Sequence, residues 1–481
     1  MSEPTTKPTS PFRVIAILSV AAFVVILNET IMSVALPRLM VEFNLTEATV
    51  QWVTTAFMLT MAVVIPTTGW ILTRFNIRSV YIAAMLIFTA GTLVAATAPV
   101  FLLLVTGRVI QAIGTAIMLP LLMTTVMNLV PFEKRGRVMG VVGMVISAAP
   151  ALGPTVGGII LEQLDWRWMF WTVLPIAVTT LVIGGALMRN ITETREMKLD
   201  FLSVVLSAIG FSGIIYGLSS LGEAARGVAL VPAWIPLVIG GISLTVFVVR
   251  QLTLGNNAFL NVRVFAVPTY AFAMLLMIAA TMAMFGTFIV LPIYIQHVLG
   301  FDAQIAGIVM LPSGVLMGVL GIFVGRAFDA VGARPLLIPG SLIAASGLWG
   351  MVTLDAASPL WATILWNILM AVGVGMMMGP LMTSALSSLP ERLYQHGSAI
   401  FSTLQQVAAA GGTALYITVM SVAAVVGAGQ GEDTLTAQMT GMHNALLCGA
   451  IIMLIPVLGA AFFRPKRSAE QPAAVESYQQ S

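Results

Sequence analysis

Apolar residues run along this chain in stretches of about twenty, the length of a bilayer-crossing helix, and short segments rich in Pro, Gly and charge separate them. Such a helix satisfies its own backbone donors and acceptors, so each stretch predicts a membrane span. Fourteen spans are expected, centred near residues 25, 61, 89, 112, 149, 179, 210, 240, 280, 315, 344, 371, 411 and 452. No break between them is long enough for a soluble domain. The first apolar run is too long for a signal-peptide core, which predicts an uncleaved first span. The fold class is therefore all-α integral membrane protein.

Composition agrees. Of the 481 residues 59% are hydrophobic and only 9% charged, against about 25% charged in soluble domains. Sorting the 22 Lys and Arg with the N-terminus placed inside leaves 18 in inside loops and tails, three outside (Arg38, Arg167, Arg226) and one, Arg108, within a span. That bias predicts a multi-pass protein of the cell membrane with both termini in the cytoplasm. It also makes the pI of 9.2 a product of topology, so nucleic acid is excluded as a partner and the lipid bilayer is the expected one. The acids sort alike, nine inside and nine outside, leaving Glu29 as the one acid well within a span. A single cysteine, Cys448, rules out a disulfide within the chain, and His297, His396 and His443 are too scattered for a metal site.

The chain also repeats itself. "GWILTRFNIR" (69 to 78) and "GRAFDAVGAR" (325 to 334) each open on Gly and close on Arg at an offset of 256. "RVIQAIG" (108 to 114) faces "NILMAVG" (367 to 373), and Pro131 faces Pro390, at an offset of 259. Two six-helix bundles, at 13–190 and 264–463, with two inserted helices at 200–250 and tails at 1–12 and 464–481, account for this spacing. Parallel repeats of this kind are a known transporter plan, with the substrate site near the midplane between halves.

Two kinds of motif stand out. Gly325, Asp329, Gly332 and Arg334 form a tight inside loop, matched in the first half by Gly69, Arg74 and Arg78, but with Thr73 where the acid would be and Asn76 in place of the second Gly. The loops read either as turns with positive-inside charge or as gating latches between helices that rock. In span 5, "APALGPTVGG" carries Gly153, Pro154, Gly157 and Gly158, suited to a kink and to close helix contact.

These segments, with "NETIMSVALP" (28 to 37), "GRVIQAIGTA" (107 to 116) and "DWRWMFW" (165 to 171), resemble the major facilitator superfamily, specifically its fourteen-span drug/proton antiporters. The resemblance covers roughly residues 13 to 463, and the first-span variant resembles most that of lincomycin-resistance-type exporters. It implies the antiporter motif at Gly153, Pro154, Gly157 and Gly158, and exchange of drug for protons. Several positions depart from the family pattern. Asn28 stands at the usual first-span Asp and Glu29 supplies the acid one residue later, about 100° around the helix. Ala112 replaces a usual Gly and Leu174 a usual Asn, and Gln405 and Gln406 occupy the thirteenth span where some relatives carry acids.

Span 1 is expected to end near Leu36, which places Glu29 roughly 10 Å from its outer end, the depth also expected of Arg108 in span 4. Burial and a neighbouring cation act in opposite directions on a carboxyl group, so opening and closing a cavity changes the balance between its two protonation states. Glu29, Arg108 and Asn28 are thus the proton-coupling candidates; the alternative is a static bridge between spans 1 and 4. Glu162, Asp165 and Asp302 read as solvated loop acids. Substrate-cavity candidates are Trp52, Gln111, Asn128, Asn367, Met376 and Gln405, since Met, aromatic and amide groups suit varied amphipathic ligands.

The expected function is proton-coupled efflux of small amphipathic or lincosamide-like drugs by alternating access, with protons as the coupling ion, no other cofactor, and a monomeric chain. Export of an endogenous metabolite or lipid is the alternative. The chain has no H-E-x-x-H, nucleophile elbow or P-loop, so an enzyme or an ATP-driven pump is not expected.

Overall fold

The computed structural model describes residues 11–188, 199–225, 231–255, 258–429 and 434–463. The C-terminal tail, most of the N-terminal tail, and Arg189, Arg195, Lys198 and Arg226 lie outside the described residues. Fourteen long helices follow one another: α1 (Pro11–Ile31), α2 (Trp52–Arg74), α3 (Ile77–Ala96), α4 (Phe101–Leu129), α5 (Arg135–Gln163), α6 (Trp168–Leu187), α7 (Phe201–Ala225), α8 (Trp234–Leu254), α9 (Pro268–Ile293), α10 (Ala303–Val331), α11 (Arg334–Val352), α12 (Leu360–Ser387), α13 (Tyr394–Gly429) and α14 (Thr434–Phe462). Among the described residues, fourteen helices are long and apolar enough to cross a membrane. No strand occurs among the described residues.

Each half is stitched by glycine. In the first half, α3 lies against α4, where a methyl group on Gly91 would fall 2.5 Å from the Gln111 amide nitrogen and one on Gly114 would overlap the Ala84 carbonyl. In the second half, α11 lies against α12 through Gly347 and Gly373, at the repeat offsets of 256 and 259 from Gly91 and Gly114. The matched glycines in "RVIQAIG" and "NILMAVG" are thus one seam made twice. Small residues drive such contacts because lipid tails give helices no hydrophobic reason to associate.

The halves meet along two seams, α5 on α10 and α2 on α13. The inserted pair seats α7 over the second seam, touching both α2 and α13, while α8 packs on α7. Gly213 and Gly240 bring α7 and α8 within backbone contact. Ser243 donates to the Leu206 carbonyl at 2.8 Å, and Arg250 donates to both oxygens of Asp200 at 2.8 and 2.9 Å. Those hydrogen bonds from Arg250 hold the Asp200 carboxyl group below the usual carboxylate range. The basic residues Arg74, Arg78, Lys134, Arg137, Arg326 and Arg334 gather where α2 joins α3, α4 joins α5 and α10 joins α11, called here the basic end.

Candidate functional site

Arg108 is completely buried on α4, seven residues from its start. Its guanidinium does not bond the Glu29 carboxylate. Nη1 donates to Asn28 Oδ1 at 3.0 Å, to the Asn28 carbonyl at 3.2 Å and to Gln111 Oε1 at 3.1 Å, while Nη2 reaches the Glu29 carbonyl at 3.4 Å. Phe57 covers the cation, with its ring centroid 4.1 Å away. Gln111 in turn donates to Thr92 Oγ1 at 2.8 Å, fixing its amide so that the oxygen faces Arg108.

These bonds explain a difference from the sequence reading. Helix α1 ends at Ile31 rather than near Leu36, and the chain passes through a tighter turn at Met32–Val34 into a short helix, Leu36–Glu42. The carbonyls of residues 28 and 29 are among the last of α1, and Arg108 takes hydrogen bonds to both. A cation that bonds terminal carbonyls and faces the negative end of the helix dipole stabilises a helix end there. Helix α5 supports the same turn: a side chain at Gly153 would overlap Thr30, and one at Gly157 would meet the Ile31 carbonyl at 2.9 Å. A Cβ on Gly158 meets nothing within 4 Å, and the Pro154 side chain lies outside the described residues.

The Glu29 side chain is half-buried. Its electrostatic neighbours are the Arg108 charge and, from α13, the Gln406 side chain, whose Nε2 lies 3.7 Å from Met61 Sδ on α2. The predicted acid and base therefore lie at one level, joined through the Glu29 backbone carbonyl and not by a bond between their side chains. Asn28 takes the place against the guanidinium.

A cavity of about 720 Å³, open space included, lies between α5 and the second half. Met284, Met317, Met378 and Met382 line it with Phe285, Phe288 and Phe401, and Gln405 supplies a polar group. Of the six cavity candidates, only Gln405 stands there. Gln111 belongs to the Arg108 network. Asn367 is buried and donates to Ser313 Oγ at 2.9 Å, tying α12 to α10. Met376 packs on Gly340 of α11. Trp52 lies against Tyr216 of α7, with centroids 6.4 Å apart and planes 28° from parallel. Asn128 is exposed near the end of α4.

The family model of the Major Facilitator Superfamily matches residues 18–413. The chain belongs to the major facilitator superfamily. Lincomycin resistance protein LmrB of Listeria monocytogenes is 39% identical to it over 94% of this chain and 97% of the relative. Multidrug resistance protein B homolog of Mycobacterium tuberculosis is 30% identical over 84% and 75%. Among solved structures, the human organic anion transporter MFSD10 superposes with a TM-score of 0.68 at 14% identity, covering 94% of this chain and 100% of that one. The proton:xylose symporter XylE gives 0.62 at 18% identity, covering 94% of each. The protein is thus a multi-pass transporter of small molecules, not an enzyme.

In this facilitator the basic end is closed between the halves. Asp329, at the end of α10, accepts from the backbone nitrogens of Gly136 and Arg137 at 2.7 and 2.8 Å, placing its charge at the start of α5. Below it Gly136 and Gly140 pack against Gly325 and Gly321, backbone to backbone. Thr124 and Ser398 share a hydrogen bond of 2.7 Å, and Arg135 donates to Tyr394 Oη at 3.2 Å. Gly69 lies against His396 of α13. Arg78 instead binds within its own half, donating to the Gly185 carbonyl at 2.8 and 3.0 Å. Arg74 ends α2, Gly332 turns the chain with φ of +81°, and Arg334 is exposed. Away from this end, Asp302 accepts from Ile305 N at 2.9 Å and caps α10, and Asp165 and Glu42 each pair with Arg167 at 2.9 Å.

Sequence reasoning did not single out Phe57, Thr124, Ser398 or Tyr394, and of the apolar cavity lining it marked only the methionine-dense stretch 375–382, which holds Met378, Gly379 and Met382. Arg135 and Tyr394 carried a usable signal, being exactly one repeat of 259 apart.

Proposed function

We propose that this transporter is a proton-coupled exporter of small amphipathic drugs, working by alternating access in the cytoplasmic membrane as a monomer. The carrying observation is Glu29: the acid read from sequence as deep within a span, which feels the Arg108 charge without a side-chain hydrogen bond to it and has Gln406 of the opposite half as a neighbour. An acid at that position meets a different neighbour when the halves rock, and a change of neighbours is what makes proton uptake and release follow the transport cycle. Arg108, held by Asn28, Gln111 and two carbonyls, is a fixed positive charge beside it. The basic end faces the cytoplasm, following the rule that places Lys and Arg inside, so both termini are inside. The closed latches leave the cavity shut off from that side. The names of the lincomycin and multidrug resistance relatives favour drugs as the cargo.

Efflux from proteoliposomes with an imposed pH gradient tests the reading. Wild type should export faster with the gradient than without it. Glu29→Gln should lose the gradient dependence while still binding substrate, and Arg108→Ala should lose activity. Equal, gradient-driven export by wild type and Glu29→Gln would remove Glu29 as the coupling acid.

A further inference from the structure

Gln405 and Gln406 are neighbours on α13, yet they face different places. Successive helix positions differ by about 100°; Gln405 points into the cavity, whereas Gln406 lies beside Met61 and Glu29. None of the described residues lining the cavity carries a charge, and Gln405 is the one among them whose side chain donates and accepts strong hydrogen bonds. Glu29 and Arg108 are not part of the lining.

A cation entering such a space gives up water and meets thioethers, rings and one neutral amide. Burying an unpaired charge costs far more than burying a polar group that finds a hydrogen bond. Aromatic faces recover part of that cost, but no carboxylate stands in the lining to recover the rest. An uncharged amphiphile loses little by comparison, and a single acceptor on it matches the Gln405 amide.

We infer that Gln405 is the polar anchor of this cavity and that the cavity selects uncharged amphiphiles carrying one hydrogen-bonding group. This rests on the exporter reading for its biological sense. The consequence is that substrate and proton occupy separate places. Gln405 holds one and Glu29 the other, so they exchange through movement of the halves and not by competing for one carboxylate.

A matched pair of probes tests this in purified protein by equilibrium binding with no pH gradient. Triphenylphosphine oxide and methyltriphenylphosphonium share a body and differ in a neutral acceptor against a positive charge. Wild type should bind the oxide at least ten-fold more tightly. Gln405→Leu should weaken the oxide about ten-fold, as loss of one hydrogen bond would, and Gln405→Glu should reverse the preference. Glu29→Gln should leave the ratio unchanged. Gln405→Asn, with a shorter amide, should retain part of the preference, which separates anchoring from a packing defect. Equal or tighter binding of the phosphonium by wild type would overturn the inference, as would an unchanged oxide affinity in Gln405→Leu. Because no gradient is present, failure here and failure of proton coupling are read independently.

Discussion

A buried guanidinium held by an amide is a different object from one held by a carboxylate. Asn28 Oδ1 accepts from Arg108 at 3.0 Å and Gln111 Oε1 at 3.1 Å, but neither brings a negative charge. The positive charge persists, spread over acceptors and faced by Phe57. At the repeat-equivalent position of the second half stands Asn367, neutral and bonded to Ser313. The charge is therefore kept in one half alone. Asn28→Ala removes one charge-assisted acceptor and should cost about 2 kcal/mol, read as a lower midpoint of thermal unfolding in detergent. Asn28→Asp preserves the shape and the acceptor, and should unfold at or above the wild-type temperature. Equal losses in both variants would show that the amide serves packing and not Arg108.

At the scale of elements, the seam between α5 and α10 is built of glycine because backbones touch there. A side chain at Gly140 would overlap the Gly321 carbonyl, so Gly140→Leu should push the two helices apart at the basic end. Spin labels at the exposed positions 137 and 326, placed in a Cys448→Ser background, should report a longer distance in that variant. Gly158→Leu, on the same helix but with nothing within 4 Å of the new Cβ, should leave the distance unchanged. An unchanged distance in Gly140→Leu would mean that the seam yields locally. The glycine repeat made this architecture legible: offsets of 256 and 259 fall on Gly91 with Gly347 and Gly114 with Gly373, which hold the same helix pair in each half. The degenerate first-half loop was legible too. Thr73 replaces the acid and bonds the Gly69 carbonyl of its own helix, whereas Asp329 crosses to α5. The cavity was legible only in part: the methionine-dense stretch 375–382 supplies Met378 and Met382, whereas Met284 and Met317 have the same chemistry as the methionines that fill the core. Which apolar face of a membrane helix meets lipid, a partner or a void depends on how the helices rotate, and composition does not fix that.

For the whole molecule, the hydrogen bonds joining Asp329 to α5, Thr124 to Ser398 and Arg135 to Tyr394 all lie at the basic end, while Glu29 and Gln406 meet farther along the seam. Alternating access requires the first set to break in every cycle. The Thr124–Ser398 bond exchanges for water at a net cost of about 1 kcal/mol and each charge-assisted bond of Asp329 and Arg135 at about 2 kcal/mol, so the closed end opens when the gains of the other state offset a few kcal/mol. A covalent tie removes that freedom. Thr124→Cys with Ser398→Cys, again without Cys448, replaces a 2.7 Å contact by a pair of thiols positioned to oxidise. Oxidation should stop export completely and reduction should restore it, whereas either single variant should export under both conditions. Binding of triphenylphosphine oxide from the opposite side should survive the crosslink, since the cavity itself is untouched. Continued export by the crosslinked protein would show that the halves do not separate along α4 and α13, and the rocking mechanism would then have to be abandoned for this seam.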